Sequence, residues 1–154
     1  MKDGLSALYV SNDDSTFTYG TSDASASYYY VTMRFEEKVY NVSFDWQCTG
    51  GENSYDYASV MLLETAIDLT ALTDNNFPTA VQTFISQKSK VGNNSNPWNT
   101  YSDELDMHGR AGVYKFVVAW RNDGSKGDQT PFAIDNISII VNSCPRPEIS
   151  VSSV

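Results

Sequence analysis

Few residues of this sequence have the types and spacing that catalysis or metal binding needs. His108 is the single histidine, and no G-x-S-x-G motif is present to supply the nucleophile of a hydrolytic triad. The sequence contains no C-x-x-C and no H-E-x-x-H motif, so it offers no zinc site of a familiar spacing. We therefore expect His108 to be a surface residue at the end of a strand.

The acidic residues are more numerous, and most of them lie in predicted turns. Turn carboxylates are usually solvated or accept hydrogen bonds from nearby backbone N–H groups. Two facing carboxyl groups would support glycoside hydrolysis, and the sequence leaves that alternative open. The segment RNDGSKGD is rich in oxygen ligands, but their spacing is not that of an EF-hand, and a glycine turn explains it equally well. The turn acids are Asp13, Asp14, Glu36, Glu37, Asp103, Asp106, Asp123 and Asp128.

One acid, Asp135, lies instead inside the apolar stretch PFAIDNISIIV. Phe132 and Ile134 share one face of an extended strand, but Ile137 falls in the opposite phase. A β-bulge at Asp135–Asn136 would bring both apolar halves to the same face, because a bulge adds one residue to a strand. An acid in such a strand needs a charge partner, hydrogen bonds or a metal ion. Asp135 is therefore a candidate for a calcium site or for a hydrogen-bond network.

Aromatic side chains indicate a second kind of site. The sequence has ten Tyr and three Trp, and flat aromatic faces can stack on sugar rings. Trp46 and Trp120 lie in strongly alternating segments and are predicted to be core residues. Tyr55 and Trp98 lie near predicted loops, and together with Tyr57 they are our candidates for ligand binding. Packing of these three side chains against the body of the domain is the alternative.

The segments that must position these residues are predominantly β-strands. Residues 38–48, KVYNVSFDWQC, alternate between apolar and polar side chains, which is typical of a half-buried strand. Residues 65–96 are less regular, and we interpret them as a long connection on one face of the sheet, with a helical turn and a short helix or strand. About seven strands without an amphipathic helix predict an all-β, antiparallel, two-sheet β-sandwich. The other predicted strands are residues 5–11, 27–35, 57–64, 98–108, 110–120 and 131–141.

Length and composition agree with one domain of an extracellular type. The 154 residues are enough for a sizeable core, and only 19% of them are charged. The net charge of −9 argues against nucleic acid and against an anionic membrane surface, because both recruit Lys and Arg. No segment has the roughly 20 apolar residues of a membrane helix, and the sequence shows no signal-peptide pattern.

The two cysteines, Cys48 and Cys144, are too few for a disulfide scaffold. A bridge between them would close a loop of roughly a hundred residues and could contribute about 4–5 kcal/mol in the chain-entropy model. Two unpaired buried thiols are the alternative.

Several segments occur in an order that resembles one family. They are SALYVSNDD, VSFDWQCTGGENSYDYASVML, YKFVVAWRNDGSKGDQTPFAIDNISI and SCPRPEISVSS. The chain resembles the MAM-like jelly-roll modules of secreted and cell-surface bacterial proteins, of the cleaved-adhesin and choice-of-anchor types. The resemblance implies a jelly roll over residues 1–143. Related jelly rolls hold a structural calcium near their first and last strands, which implies Asp135, Asn12 and Asp13 as metal ligands.

Two features differ from the family's pattern or extend beyond it. In the family a Trp-containing strand precedes the strand that matches SALYVS, whereas here few residues do. We therefore expect a vacant strand position and an exposed sheet edge. Residues 144–154 resemble a linker and the first strand of a following fibronectin type III-like domain, and Pro145 and Pro147 suit a stiff linker.

The resemblance predicts a non-catalytic adhesion or carbohydrate-binding module of a larger secreted or cell-surface bacterial protein. Its partners would be a glycan or a host or other extracellular protein, besides the neighbouring domains of its own chain, with calcium as a structural cofactor. The alternatives are a structural spacer without a ligand and a part of a glycoside hydrolase or peptidase.

Overall fold

The computed structural model describes residues 7–10, 18–50, 55–71, 77–87, 98–125 and 131–142. Within these residues eight strands form two antiparallel sheets that pack face to face. The predicted all-β, antiparallel sandwich is confirmed. Asn12, Asp13 and Cys144, together with the tail 144–154, lie outside the described residues.

The eight strands match the segments that alternation predicts, with one addition in the long connection. The strands are β1 (Leu8–Tyr9), β2 (Ser25–Phe35), β3 (Val39–Cys48), β4 (Tyr57–Glu64), β5 (Gln82–Gln87), β6 (Asn99–Asp106), β7 (Gly112–Asn122) and β8 (Phe132–Val141). The addition is β5, and a 3-10 helix, Leu69–Ala71, precedes it as the predicted helical turn. Most of the strands are rich in β-branched and aromatic residues, which suit a pleated, half-buried surface.

The strand order is that of an eight-stranded jelly roll. The first sheet has the order β1-β8-β3-β6 and the second sheet the order β2-β7-β4-β5. This double-sheet arrangement combines two Greek keys. Every position of the jelly roll has a strand, but β1 is only two residues long. Strand β1 lies within the segment SALYVS, so the expected vacancy, which precedes that segment, lies outside the described residues.

The main core lies between the two sheets. From the first sheet β3 contributes Phe44 and Trp46, and from the second sheet β7 contributes Phe116, Val118 and Trp120. The rings of Phe44 and Phe116 meet edge to face with centroids 6.5 Å apart. Trp120 is 1% exposed, as expected for a core residue, and burial of such a side chain contributes about 1.5–3 kcal/mol.

A second, smaller cluster lies on the outer face of the second sheet. Its floor consists of alternate residues of β4 and β7, including Met61, Leu63 and Val117. Leu69 of the 3-10 helix is buried against this floor, with Phe77 packed beside it. The long connection therefore decorates one face of a sheet, as the sequence predicts.

Cys48 ends β3 opposite Phe132 and is buried. Burial, with a smaller contribution from the nearby Asp56 carboxylate, raises the pKa of its thiol to about 12. Within the described residues Cys48 has no disulfide partner. Because Cys144 lies outside them, the pairing of the two cysteines stays a prediction.

Candidate functional site

Strand β8 carries a β-bulge where the sequence changes phase. Ser138 lies opposite Ser43 and Asp135 lies opposite Asp45, so β8 advances by three residues (138 to 135) where β3 advances by two (43 to 45). Asn136 has a φ of 52°, a left-handed conformation that Asn tolerates better than most non-glycine residues. The predicted bulge is confirmed.

The bulge brings both apolar halves of β8 to the inner face of the first sheet. Before it, Ile134 lies opposite Trp46, and beyond it Ile139 lies opposite Val42. Both partners on β3 belong to the main core or pack against it. The change of phase in the sequence is therefore the signature of a strand that keeps one face on the core.

The buried carboxylate next to the bulge belongs to Asp45, on the neighbouring strand. Asp45 is 6% exposed, and its Oδ1 accepts a hydrogen bond of 2.6 Å from the Thr100 hydroxyl. Its Oδ2 accepts a hydrogen bond of 2.9 Å from the Asn136 side-chain amide. We call Asp45, Thr100, Asp135 and Asn136 the bulge network. Hydrogen bonds on both oxygens offset much of the cost of burying this charge.

Asp135 completes the bulge network from the surface side. Its Oδ1 accepts a hydrogen bond of 2.8 Å from the backbone N–H of Asn136, and its side chain is half-buried. This bond holds the left-handed turn of the bulge, which is the hydrogen-bond role that the sequence offered as one of two interpretations. Sequence reasoning missed Asp45, because simple alternation placed it on the polar face of its strand.

The bulge network does not by itself provide a calcium site. Calcium takes six to eight oxygen ligands, and the network offers two carboxylates, Asp45 and Asp135. In the part of the chain that the structure describes, no group of three or more His, Cys, Asp or Glu side chains could hold a metal ion. Asn12 and Asp13 lie outside that part, so calcium stays a prediction that needs ligands from there.

The loop that resembles a calcium loop is held by contacts within the protein. The buried Asn122 side-chain amide donates hydrogen bonds to the backbone oxygens of Gly20 and Asp23. Gly124 has a φ of 81°, and a side chain there would collide with the backbone of Asp23 and Ala24. The described part of this loop is therefore explained by close packing against the segment before β2.

Tyrosines on the outer face of the second sheet form the clearest exposed aromatic surface. Tyr28 and Tyr30 lie opposite Ala119 and Val117, whose side chains belong to the outer cluster. Tyr30 is 54% exposed, and the Lys115 ammonium lies 5.6 Å from its ring centroid. Two residues of strand separate these rings by about 7 Å along β2.

Tyr57 lies on the same outer face, across β7 from β2. The Arg121 guanidinium lies over its ring at 4.9 Å from the centroid, and Phe77 meets the ring edge to face at 5.1 Å. The half-buried Tyr57 is thus partly engaged in packing, the alternative that the sequence left open. We call Tyr28, Tyr30 and Tyr57 the tyrosine face.

The other two aromatic candidates lie elsewhere. Tyr55 is 54% exposed and precedes β4, while the half-buried Trp98 precedes β6 in the first sheet. The structure therefore places Trp98 and Tyr57 on different sheets. The strict alternation of residues along β2 is the signal that could have singled out Tyr28 and Tyr30.

His108 lies at the surface, in the turn after β6. Its backbone N–H donates to Asp106 Oδ1 at 2.9 Å, and its Nδ1 lies 2.7 Å from the same oxygen. These two hydrogen bonds, the backbone one first, lower the pKa of the Asp106 carboxyl from its usual value. The predicted surface position of His108 is confirmed, and its described contacts stabilise a turn.

Comparison with protein-family models and with curated proteins finds no match for this chain. The MAM-like resemblance therefore rests on the quoted motifs and stays a prediction. Within the described residues, no helix is long and apolar enough to cross a membrane.

Proposed function

We propose that this chain is a non-catalytic adhesion or carbohydrate-binding module of a larger secreted or cell-surface bacterial protein, of the MAM-like type. The observation that supports the proposal is the tyrosine face. It combines the exposed ring of Tyr30 and the half-buried rings of Tyr28 and Tyr57 with two cationic side chains, Lys115 and Arg121, on a single sheet surface.

This combination of groups suits a sugar better than a charged polymer. An aromatic face stacks on the C–H side of a pyranose ring, while nearby N–H donors bind hydroxyl groups. The net charge of −9 disfavours sulfated or uronic-acid glycans. The ligand class that we propose is therefore a neutral glycan chain, whose successive rings contact Tyr30 and Tyr28.

A glycan array tests the proposal, with the protein applied in calcium and in chelator. We expect selective binding to a group of neutral glycans. Flat, unselective signals for glycans, together with no binding to extracellular matrix proteins, would contradict the proposal and favour a spacer domain.

Two tyrosine variants then locate the site. Tyr30 and Tyr55 are both 54% exposed, so Tyr30→Ala and Tyr55→Ala remove equal amounts of accessible aromatic surface from different places. We expect Tyr30→Ala to weaken the best glycan about tenfold and Tyr55→Ala to leave its affinity unchanged. The reverse result would move the site to the loop before β4, where the sequence first placed it.

A further inference from the structure

Beside Tyr30, the connection between β4 and β5 reaches the tyrosine face. Lys115 lies opposite Thr32, which follows Tyr30 by two residues on β2, so these three side chains share the outer face of the second sheet. The Lys115 ammonium lies 5.6 Å from the Tyr30 ring centroid and donates a hydrogen bond of 2.6 Å to the backbone oxygen of Ile67. Lys115 therefore joins the aromatic ring to the connection.

The next residue of the connection is Asp68, whose carboxylate is held in place. Its neighbours Ile67 and Leu69 both pack in the smaller cluster on the outer face of the second sheet. Asp68 Oδ1 accepts hydrogen bonds from the backbone N–H and from the hydroxyl of Thr70, at 2.9 Å and 2.7 Å. The carboxylate thus lies at the start of the 3-10 helix, next to the carbonyl group that Lys115 contacts.

Asp68 and Lys115 form a pair of opposite charges beside the ring. The hydrogen bonds from Thr70 and, to a smaller extent, the positive charge of Lys115 lower the pKa of the Asp68 carboxyl from its usual value. Asp68 is therefore ionised at neutral pH, and Lys115 is close enough to act on it. The two charges balance each other, so the pair has no net charge.

Both side chains keep hydrogen-bonding capacity for a ligand. An ammonium group has three N–H donors, and each oxygen of a carboxylate is an acceptor. Among the described residues, Lys115 donates to Ile67 alone, and the hydrogen bonds of the Asp68 side chain are all made by its Oδ1. Donors of Lys115 and the Oδ2 acceptor of Asp68 are therefore available beside Tyr30.

We propose that Asp68 and Lys115 bind two adjacent hydroxyl groups of an internal sugar ring that stacks on Tyr30, so that the site selects rings with a vicinal diol. This inference rests on the proposed glycan-binding function. One hydroxyl donates to Asp68 Oδ2 and its neighbour accepts from Lys115 Nζ, because a hydroxyl group can do either. Hydrogen bonds to charged partners are stronger than neutral ones, so this pair contributes strongly to selectivity.

The balance of charges also says which sugars the site disfavours. A lysine alone beside an aromatic ring would suit a sulfate or a uronic acid as well as a hydroxyl. The Asp68 carboxylate repels such anionic groups and accepts from a neutral hydroxyl instead. A bulky substituent on either hydroxyl would lie against the connection, which adjoins the ring through Lys115.

Three hexasaccharides provide the probes, and isothermal titration calorimetry measures their binding to the full chain. Every internal ring of cellohexaose, a β-1,4-linked glucose chain, keeps adjacent hydroxyls at C2 and C3. Laminarihexaose contains the same sugar, but its linkage through C3 leaves no adjacent pair in the internal rings. Chitohexaose has the linkage of cellohexaose and an acetamido group at C2. We expect saturable binding of cellohexaose and at least tenfold weaker binding of the other two.

Asp68→Asn tests the acceptor, because it keeps an oxygen for Thr70 and replaces one carboxylate oxygen with an amide donor. Asp103→Asn is the control: Asp103 is also exposed and accepts a local hydrogen bond of 2.8 Å from the backbone N–H of Glu104, but it lies in the first sheet. We expect Asp68→Asn to weaken cellohexaose at least tenfold and to reduce its preference over laminarihexaose to about threefold or less. Asp103→Asn should leave both values within about twofold of the wild type.

Lys115→Met tests the donor, and Lys115→Arg restores one. We expect the methionine variant to weaken cellohexaose at least tenfold and the arginine variant to recover most of the affinity. Because Lys115 also holds the connection through Ile67, melting temperatures of both variants check that the fold is kept. Loss of binding in a variant that melts like the wild type assigns the effect to the ligand.

The results that contradict this inference differ from those that contradict the proposed function. Equal affinities of the wild type for the three hexasaccharides would overturn diol recognition and leave glycan binding in place. Equal losses for all three in Asp68→Asn would give Asp68 a structural role only. Selective binding on the glycan array without any affinity for cellohexaose would also overturn the inference. Flat signals on the array, with no binding of any hexasaccharide, would contradict the proposed function itself.

Discussion

Each lateral side of the sandwich is formed by one edge strand of each sheet, but the apolar side chains between these strands are buried to different extents on the two sides. On one side β5 lies across from β6, and Phe84 packs against Tyr101 and Phe116 with ring centroids 5.9 Å and 5.7 Å away. Tyr101 stacks on Phe44 at 4.8 Å, and burial is the main cause that raises the pKa of its hydroxyl. On the other side Tyr29 is about half exposed. We call these the closed side and the open side.

Each side contains a β-bulge, and the two bulges differ in what covers them. In β5 the register shifts so that Val60 lies opposite Ile85 and Met61 opposite Thr83, which makes Phe84 the extra residue. Phe84 packs against the main core. In β8 the bulge likewise directs apolar residues inwards, yet Ile137 stays 46% exposed. The comparison shows that a bulge aims a side chain, whereas the residues packed around that side chain decide whether it is buried.

The largest expected effect tests this contrast through stability. Phe84→Ala on the closed side should lower the free energy of unfolding by about 3 kcal/mol, at the lower end for a core phenylalanine because Phe84 is half-buried. Tyr29→Ala on the open side should change it by about 0.5 kcal/mol or less, because its ring has little cover. Urea unfolding followed by tryptophan fluorescence measures both values.

The two variants also test whether the open side is exposed in solution. Equal losses at Phe84 and Tyr29 would mean that the open side is covered in solution, and would contradict the difference in burial.

The next largest effect concerns the bulge network, whose residues Asp135 and Asn136 lie in β8 at the open side. Asp45→Ala should cost about 2 kcal/mol, because it removes the hydrogen bonds from Thr100 and Asn136, each of which contributes about 1 kcal/mol. Asp135→Ala should cost about 1 kcal/mol, since it removes one hydrogen bond at a half-buried position. Melting temperatures at neutral pH rank the two variants.

A matched control and a chelator sharpen this prediction. Ser138 lies on the same strand, two residues beyond Asn136. Ser138→Ala should change the melting temperature by less than either aspartate variant. If calcium is held near Asp135, a chelator should lower the midpoint of the wild type and have a smaller effect on Asp135→Ala. An unchanged wild-type midpoint would leave the hydrogen bonds as the whole role of Asp135.

Alternation along the sequence was sufficient to predict the strands with a regular pattern. Other features of the fold depend on how strands that are distant in sequence pair with each other. The change of phase around Asp135 was sufficient to predict the β8 bulge. The strand β5 was ambiguous, because Val81, Phe84 and Ile85 have the spacing of a helix as well as that of a bulged strand. The burial of Asp45 depends on which residues of β6 and β8 lie beside it, and a single sequence does not contain that pairing.

The same limit applies to the candidate ligand-binding residues. Tyr55 and Trp98 lie near predicted loops and Tyr57 begins a predicted strand, yet the side of the sheet on which each one lies depends on topology. Alternation along β2 does separate Tyr28 and Tyr30 from Tyr29. Sequence could not show which of those two faces is covered, because the covering residues, in β1 and in the connection after β4, are far away along the chain.

The smallest expected effect on stability concerns Cys48, which lies beside the end of β8 that pairs with β1. Cys48 lies opposite Phe132, and the backbone N–H of Val10 donates to Phe132 O at 3.1 Å, just past β1. Because burial raises the pKa of Cys48 to about 12, its thiol keeps its proton in the folded protein and reacts slowly with iodoacetamide at pH 8.5. The unfolded thiol ionises near its ordinary value of 9.0, so stability should fall as the pH rises above that value.

A second cysteine at an uncovered position makes the comparison direct. In a Cys144→Ser background, Ile137→Cys should be alkylated at least a hundredfold faster than Cys48 at pH 8.5, because position 137 is 46% exposed and Cys48 is 2% exposed. Mass spectrometry of the time course gives both rates in one molecule. Similar rates would mean that the two ends of β8 open together, whereas slow reaction at both positions would show that the edge from Asn136 to Val141 is already covered.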